Sequence, residues 1–369
     1  MQRFRAPCNC ERRWVSGVPE SATSIAAASR ALGDGELVAF PTETVYGLGA
    51  DASNASALAH LYAVKARPSA HPVIVHFASA ARAFTWARVV PESARVLAQT
   101  FWPGPLTLLL PRAAHVLDAV TGAQDSVGLR VPSHPVALQL LRAFDQDLAR
   151  MPALGIAAPS ANRFGRISPT TAQHVRDDLG TDVSCVLEGG ACDVGIESTI
   201  VDCTRAVPVV LRPGLITAAQ IDQALKKITP SIAQPATSSA RGALAQQTST
   251  THAGSHHTPR VSGALASHYA PRTPAHLIET HALDTAIARY AGHAAVLAFS
   301  HPDERVDFWL RLPRQPEAYA QGLYAALREL DQAQCQVMLV EAPPDTPEWQ
   351  AVLDRLRRAC HVASASDTQ

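Results

Sequence analysis

Between about Thr229 and Ser262 the chain changes character: Ser, Thr, Ala, Gln, His and Pro dominate and no apolar period survives. Such a stretch buries too little apolar surface to offset the entropy of ordering it, so it reads as a linker. It leaves a long block before it and about a hundred residues after it. One ordinary core rarely serves 369 residues, so two folding units are expected. The expected layout is an irregular extension over 1–20 and a first domain over 21–228. A linker or lid over 229–274 and a small α/β domain over 275–369 complete it. His252, His256 and His257 raise the idea of a metal tract, but a solvated linker explains them better.

Within the first block the organising stretch is 38–76. The run from Val38 to Ala50 starts apolar, is broken by Pro41, and then offers hydroxyls and two glycines, Gly47 and Gly49. Asn54 suits the cap of a helix in which Leu58, Leu61, Tyr62 and Lys65 share a face, and Pro68 stops it. No acidic residue stands between Asp51 and Glu92, whereas Lys65, Arg67, Arg82 and Arg88 do. A glycine-bearing turn beside uncompensated cations suits an anion, so a phosphate or carboxylate cleft is expected.

Strands are expected at 36–40, 72–77, 106–110, 126–131, 183–187, 198–201 and 207–211, and helices at 21–32 and 217–227. Val45 to Leu48 continues or pairs with the first strand. Strands at 276–278, 294–299 and 337–340 alternate with helices at 283–291, 316–330 and 347–359. The mixture lacks a regular βαβ repeat in the first block, so an α/β (α+β) fold with a mixed sheet is expected there.

Composition narrows the function classes. Lys plus Arg and Asp plus Glu both number 32, which removes any whole-chain electrostatic case for nucleic acid or anionic membrane. No stretch approaches the roughly 20 apolar residues of a membrane span, and Met1 to Arg5 lacks a secretory h-region. Seven irregularly spaced cysteines, with no C-x-x-C, fit reduced thiols in the cytoplasm. Gly47 to Ala52 fits a loose G-x-G-x-x-A, but the acid expected about 20 residues on is replaced by Arg67. P-loop, H-E-x-x-H and G-x-S-x-G motifs are absent.

A scattered polar set remains: Thr44, Lys65, Arg67, His71, His76, Ser126, Arg130, Ser160, Asn162, Ser198 and Arg212. Singly, each has a local explanation: loop Ser and Asn cap turns, Arg130 or Arg212 pairs with a core carboxylate, His76 is a satisfied core residue. Residue chemistry alone gives an anion-binding α/β protein.

Six motifs in fixed order go further. Pro41–Gly49, Lys65-Ala66-Arg67-Pro68, Gly128–Pro132, Ala158–Asn162, Glu197–Asp202 and Leu211–Gly214 resemble the YrdC-type threonylcarbamoyl-AMP synthases. His268-Tyr269-Ala270-Pro271 and the α/β tail resemble that family's long, two-domain form, whose fold is a YrdC-like mixed sheet plus a Rossmann-like domain. The resemblance implies a reaction joining L-threonine, bicarbonate (or CO2) and ATP into threonylcarbamoyl-adenylate and pyrophosphate, with Mg²⁺ travelling on ATP. A separate transferase then modifies adenosine beside the anticodon of tRNA. Thr44, His76, Arg130, the backbone of Ala158, and Ser198 resemble the threonine pocket. Arg67, His71, Ser126, Ser160, Asn162, Ser168 and Arg212 resemble the ATP shell, with Tyr269 folding over the nucleotide. Lys65 and Arg67 are then the catalytic, phosphate-neutralising cations, and Glu43 or Asp202 touches Mg²⁺ through water or serves structure. His71 stands where asparagine is common in the family.

Two other readings stay open. An RNA-binding module, double-stranded RNA included, would use the same positive cleft, though interleaved aromatics are few. Carbamoyl transfer like that of hydrogenase-maturation proteins would need acylphosphatase and zinc-finger modules, for which the sequence shows no pattern.

Overall fold

The structure is a computed structural model describing residues 22–146, 152–183, 185–226, 258–290, 293–300, 303, 305–306 and 308–361. The extension over 1–20 and the three linker histidines at 252, 256 and 257 lie outside the described residues.

Nine strands build the first sheet: β1 (Val38–Phe40), β2 (Gly47–Asp51), β3 (Ile74–His76), β4 (Leu106–Pro111), β5 (Ser126–Arg130), β6 (Ile156–Ala157), β7 (Cys185–Val186), β8 (Thr199–Asp202) and β9 (Val209–Arg212). Their order is β7-β1-β2-β6-β3-β5-β4-β8-β9, mixing parallel pairs such as β3/β5 with antiparallel ones such as β8/β9. β5 is buried along its whole length, and β4 along all but its last residue, which is why both read as near-continuous apolar runs. The mixed α/β architecture agrees with the sequence.

The 38–50 run folds back on itself, pairing β1 with β2 antiparallel. Gly47 and Gly49 therefore lie inside a strand, and the expected glycine-bearing anion turn is not formed. A Cβ at Gly49 would sit 2.8 Å from Ile156 and 2.9 Å from the Phe40 ring, so this glycine serves close packing. The turn itself is shaped by Thr42, whose Oγ1 accepts from the Thr44 and Val45 N–H groups and donates to Val45 O.

Helix Ala55–Lys65 is capped by Asn54, which accepts from Ser56 N and Ala57 N. It ends at Ala66 in the left-handed region (φ 51°), two residues before Pro68. Helices Glu92–Phe101 and Pro135–Phe144 were not expected, although each buries one apolar face.

A second sheet holds β10 (Ala275–Ile278), β11 (Ala294–Ala298), β12 (Phe308–Arg311) and β13 (Val337–Glu341), all parallel, in the order β10-β13-β11-β12. Alternate residues of β11 and β13 pack against helix Leu283–Tyr290 on one face and helices Pro316–Asp331 and Gln350–Ala359 on the other. The cluster on the latter face includes Val45, Ile167 and Ile196, so the two sheets share one apolar contact zone. Gly195 (φ +76°) permits that approach, because a Cβ there would lie 2.5 Å from the Gln321 backbone.

Candidate active site

The cleft opens where β3 and β5 end together. His76 and Arg130 are register partners on these parallel strands, so their side chains stand beside each other. Burial, and secondarily the Arg130 charge, lowers the His76 pKa to about 3, so its ring is neutral near pH 7. Arg130 Nη2 lies 2.8 Å from Glu43 Oε1, an ion pair whose angles miss those of a hydrogen bond. Thr44 Oγ1 faces Thr42 Oγ1 at 2.8 Å, and the Ala158 N–H is taken by Ile74 O.

The opposite wall comes from the β8/β9 pair and the helix-to-β3 connection. Arg212 donates through Nε to Ser198 O (3.0 Å) and through Nη2 to Ser198 Oγ (3.1 Å). Thr107 holds that same hydroxyl at 2.8 Å. Arg67 donates to Pro72 O at 2.8 Å and lies over the Phe164 ring at 5.2 Å. Burial lowers the Arg67 pKa to about 10, which leaves it a cation, and lowers that of Arg212 as well.

Thus Thr44, Arg67, His76, Arg130, Ala158, Ser160, Ser198, Arg212 and Tyr269 do meet in one cleft. Five expected residues, Lys65, His71, Ser126, Asn162 and Ser168, do not line it. Lys65 is 1% exposed, and its Nζ donates to Ser160 O and Asn162 O, both at 2.5 Å. Asn162 donates to Arg163 O and Arg166 O; Ser168 donates to Glu197 Oε1 at 2.6 Å. His71 packs its ring against Phe164, and Ser126 lies opposite Pro111 at the far end of β5 from Arg130.

The picture of cations without opposing acids needs correcting. Glu43 pairs with Arg130, and Glu197 lines the cleft itself. Arg82 is compensated outside it, by Asp145 at 2.6 Å, and Arg88 is exposed. An acid-free interval in sequence does not make an acid-free site, because carboxylates arrive from distant segments. Asp202 serves structure, accepting from Thr204 and pairing with Arg205.

Sequence reasoning did not single out Glu197, Ser262, Gly263 or His268 as site residues, yet all four line the cleft. The 258–271 segment straps across it. Ser262 accepts from Arg67 Nη2 through Oγ and from Arg212 Nη1 through its carbonyl. Gly263 (φ +80°) passes so close that a Cβ would meet Tyr269 OH at 2.2 Å. Tyr269 itself holds a left-handed backbone (φ 61°), is 1% exposed, and stacks on Tyr324. About 50 Å³ remains free beneath the strap, room for a few waters.

Buried polar atoms without a hydrogen-bond partner or an ion pair concentrate here among the described residues: His76 Nδ1, His268 Nδ1 and Tyr269 OH. Such atoms are costly unless something else engages them. A larger groove of about 660 Å³ flanks β10 in the second domain, but it gathers none of the motif residues. The smaller cleft is therefore the candidate site.

Fold and site define an α/β protein with a buried, arginine-lined anion cleft strapped by a segment entering from a second domain. Comparison with known proteins sharpens this class. A family model described as telomere recombination (Sua5/YciO/YrdC) matches residues 30–214, and the threonylcarbamoyl-AMP synthase C-terminal domain matches 216–361. The threonylcarbamoyl-AMP synthase of Bacillus subtilis is 35% identical over 361 residues, covering 94% of this chain and 97% of its own. That of Pyrococcus abyssi is 35% identical over 328 residues, covering 88% and 91%. The crystal structure of P. abyssi Sua5 complexed with L-threonine superposes with a TM-score of 0.78 at 34% identity, covering 91% of this chain and 94% of that one. The chain belongs to the Sua5/YciO/YrdC family, in its two-domain threonylcarbamoyl-AMP synthase form, and is an enzyme. Among the described residues no helix is long and apolar enough to cross a membrane.

Proposed function

We propose that this enzyme makes L-threonylcarbamoyl-adenylate and pyrophosphate from L-threonine, bicarbonate or CO2, and ATP. The observation that carries the reading is the convergence of Arg67, Arg130 and Arg212 on one cleft with Thr44, His76 and Ser198. Such a site can seat an amino-acid carboxylate and a polyphosphate side by side. Arg130 takes the threonine carboxylate on its planar fork, beside the neutral His76. Arg67 and Arg212 take the phosphates, which requires Ser262 to release both guanidinium groups. The 258–271 strap therefore acts as a lid that shifts to admit nucleotide and closes with Tyr269 against it.

In the reaction, the threonine amine and bicarbonate give a carbamate, with loss of water. A carbamate oxygen attacks the α-phosphorus in line; the new P–O bond forms as the α–β anhydride breaks and pyrophosphate leaves. Arg67 and Arg212 stabilise the charge that builds on the departing group. Lys65 supports them from behind by fixing the carbonyls of Ser160 and Asn162. The described carboxylates nearest the cleft are already engaged, Glu43 by Arg130 and Glu197 by Arg355, so Mg²⁺ enters held by the phosphates of ATP.

We place the reaction in the cytoplasm, upstream of a transferase that delivers the threonylcarbamoyl group to adenosine beside the tRNA anticodon. RNA contact, double-stranded RNA included, would show as affinity that falls steeply with salt. Threonine-dependent pyrophosphate release from ATP and bicarbonate tests the reading. Wild-type protein should show it, and Lys65→Ala and Arg67→Ala should each lose most of it. Release that ignores threonine would sink the proposal. Trypsin cleavage after the exposed Arg260 should change on adding ATP plus threonine; equal cutting in both conditions counts against the lid.

A further inference from the structure

The second domain reaches the cleft through one buried arginine. Arg355 lies on helix Gln350–Ala359 and is 0% exposed. Its Nε donates to Glu197 Oε2 at 2.8 Å and its Nη2 to Glu197 O at 3.2 Å. Its Nη1 donates to Pro213 O at 2.9 Å and also meets Asp354, its neighbour on the helix. Tyr324, from the same domain, donates to Glu197 Oε2 at 2.9 Å.

The two gripped residues have telling neighbours. Glu197 directly precedes Ser198, and Pro213 directly follows Arg212. Ser198 and Arg212 hold each other across the start of β8 and the end of β9, and both line the cleft. One guanidinium thus clamps the two chain ends that carry the cleft's serine and one of its arginines.

We propose that Arg355 is a positioning residue for adenylate formation: by holding Glu197 and Pro213 it fixes Ser198 and Arg212 in the cleft. This rests on the reaction proposed above. It also assigns the second domain a task in catalysis without contact to substrate. Without Arg355 a buried carboxylate beside Ser198 would lose its main counter-charge, an arrangement that is strongly destabilising. In the intact enzyme burial pushes the Glu197 pKa up, but Arg355 and then Arg212 pull it down to about 2.

The test uses the full-length enzyme, with separate kcat and KM for ATP and threonine, a pH profile and a melting temperature for each variant. Arg355→Met should lower kcat/KM at least about tenfold in the folded enzyme. It should also add an acid-side titration that wild type lacks, since burial then raises the Glu197 carboxyl unopposed by its nearest cation. The other groups facing Glu197 are Arg212, Ser168, Tyr324, Tyr269 and His268, with Asp354 on the arginine's side. His268 sits at about 3 and Tyr269 at about 12, so neither mimics that step. Arg355→Lys, which keeps the charge and loses the fork, should fall between.

Should Arg355→Met fold poorly, the double variant R355M/E197Q removes both charges. It should recover a wild-type pH profile, yet stay about three- to fivefold low in kcat/KM because the carbonyl grips are gone. If the variants melt earlier but keep wild-type kcat, KM and pH profile, the contact is packing alone and the proposal is overturned. Wild-type protein that forms no adenylate would overturn the reaction itself, and this proposal with it.

Discussion

The first-domain cleft and the second-domain core both bury polar groups, but the cleft gathers its unsatisfied ones around one space. At the end of β13, Glu341 is 2% exposed and fully matched, accepting from Thr280 Oγ1 at 2.9 Å and Phe299 N at 2.7 Å. In the cleft, His76 Nδ1, His268 Nδ1 and Tyr269 OH are buried without a hydrogen bond. Each oxygen of the Glu341 carboxylate has a donor from its own domain. Three unmatched atoms on residues that line one space mark a surface completed by a ligand. Among the described residues of the second domain one comparable atom stands, Tyr319 OH, and it lies among the Phe299 and Trp349 rings.

The contrast can be broken at several strengths. Arg67→Ala should have the largest effect, lowering threonine-dependent pyrophosphate release about 100-fold or more, the range seen when one preorganised charge-stabilising donor is lost. A drop of only a few-fold would mean that Arg67 shapes the strap and not the reaction. Arg130→Lys should raise the threonine KM about tenfold with a smaller change in kcat, since a point charge replaces a fork. Its melting temperature should also fall, because Glu43 loses part of its partner.

Tyr269→Phe removes a hydroxyl that has no partner in the protein. It should leave the melting temperature unchanged and weaken ATP binding about three- to tenfold, by loss of one hydrogen bond. Tyr319→Phe removes an equally unpartnered hydroxyl in the second domain and should change neither. Equal effects of the two on ATP binding would erase the comparison.

The smallest effect concerns pH. His76 and His268 titrate near 3 in the fold against an ordinary 6.5, both chiefly through burial. The unfolded chain therefore binds more protons between those values, and stability falls as pH drops from about 6.5 toward 3. Both rings are neutral in the folded enzyme at pH 7 and above, so threonine binding should not vary with them between pH 7 and 8. His76→Phe should flatten part of the acid slope in urea titrations; an unchanged slope would place the acid sensitivity elsewhere.

Much of this was legible in sequence where signals are local. The Asn54 cap, the stop at Pro68 and the apolar runs of β4 and β5 each declare themselves within a few residues, as do the six motifs. Gly49 was visible but misread, because only the fold shows Phe40 and Ile156 against it. β12 escaped because its half-exposed residues carry no clear period. Glu197 stood inside a motif, but its importance comes from Arg355, 158 positions away. Lys65 shows the same limit from the other side: its motif points to phosphate, while its Nζ is spent on the carbonyls of Ser160 and Asn162.

The central claim is that one cleft holds an amino acid and a nucleotide so that the first becomes joined to the second. Mass spectrometry of pure protein mixed with ATP, L-threonine and ¹³C-bicarbonate reads this directly. The account predicts an adenylate carrying both threonine and the labelled carbon. ATP consumed without that species, or an adenylate lacking the label, would contradict it.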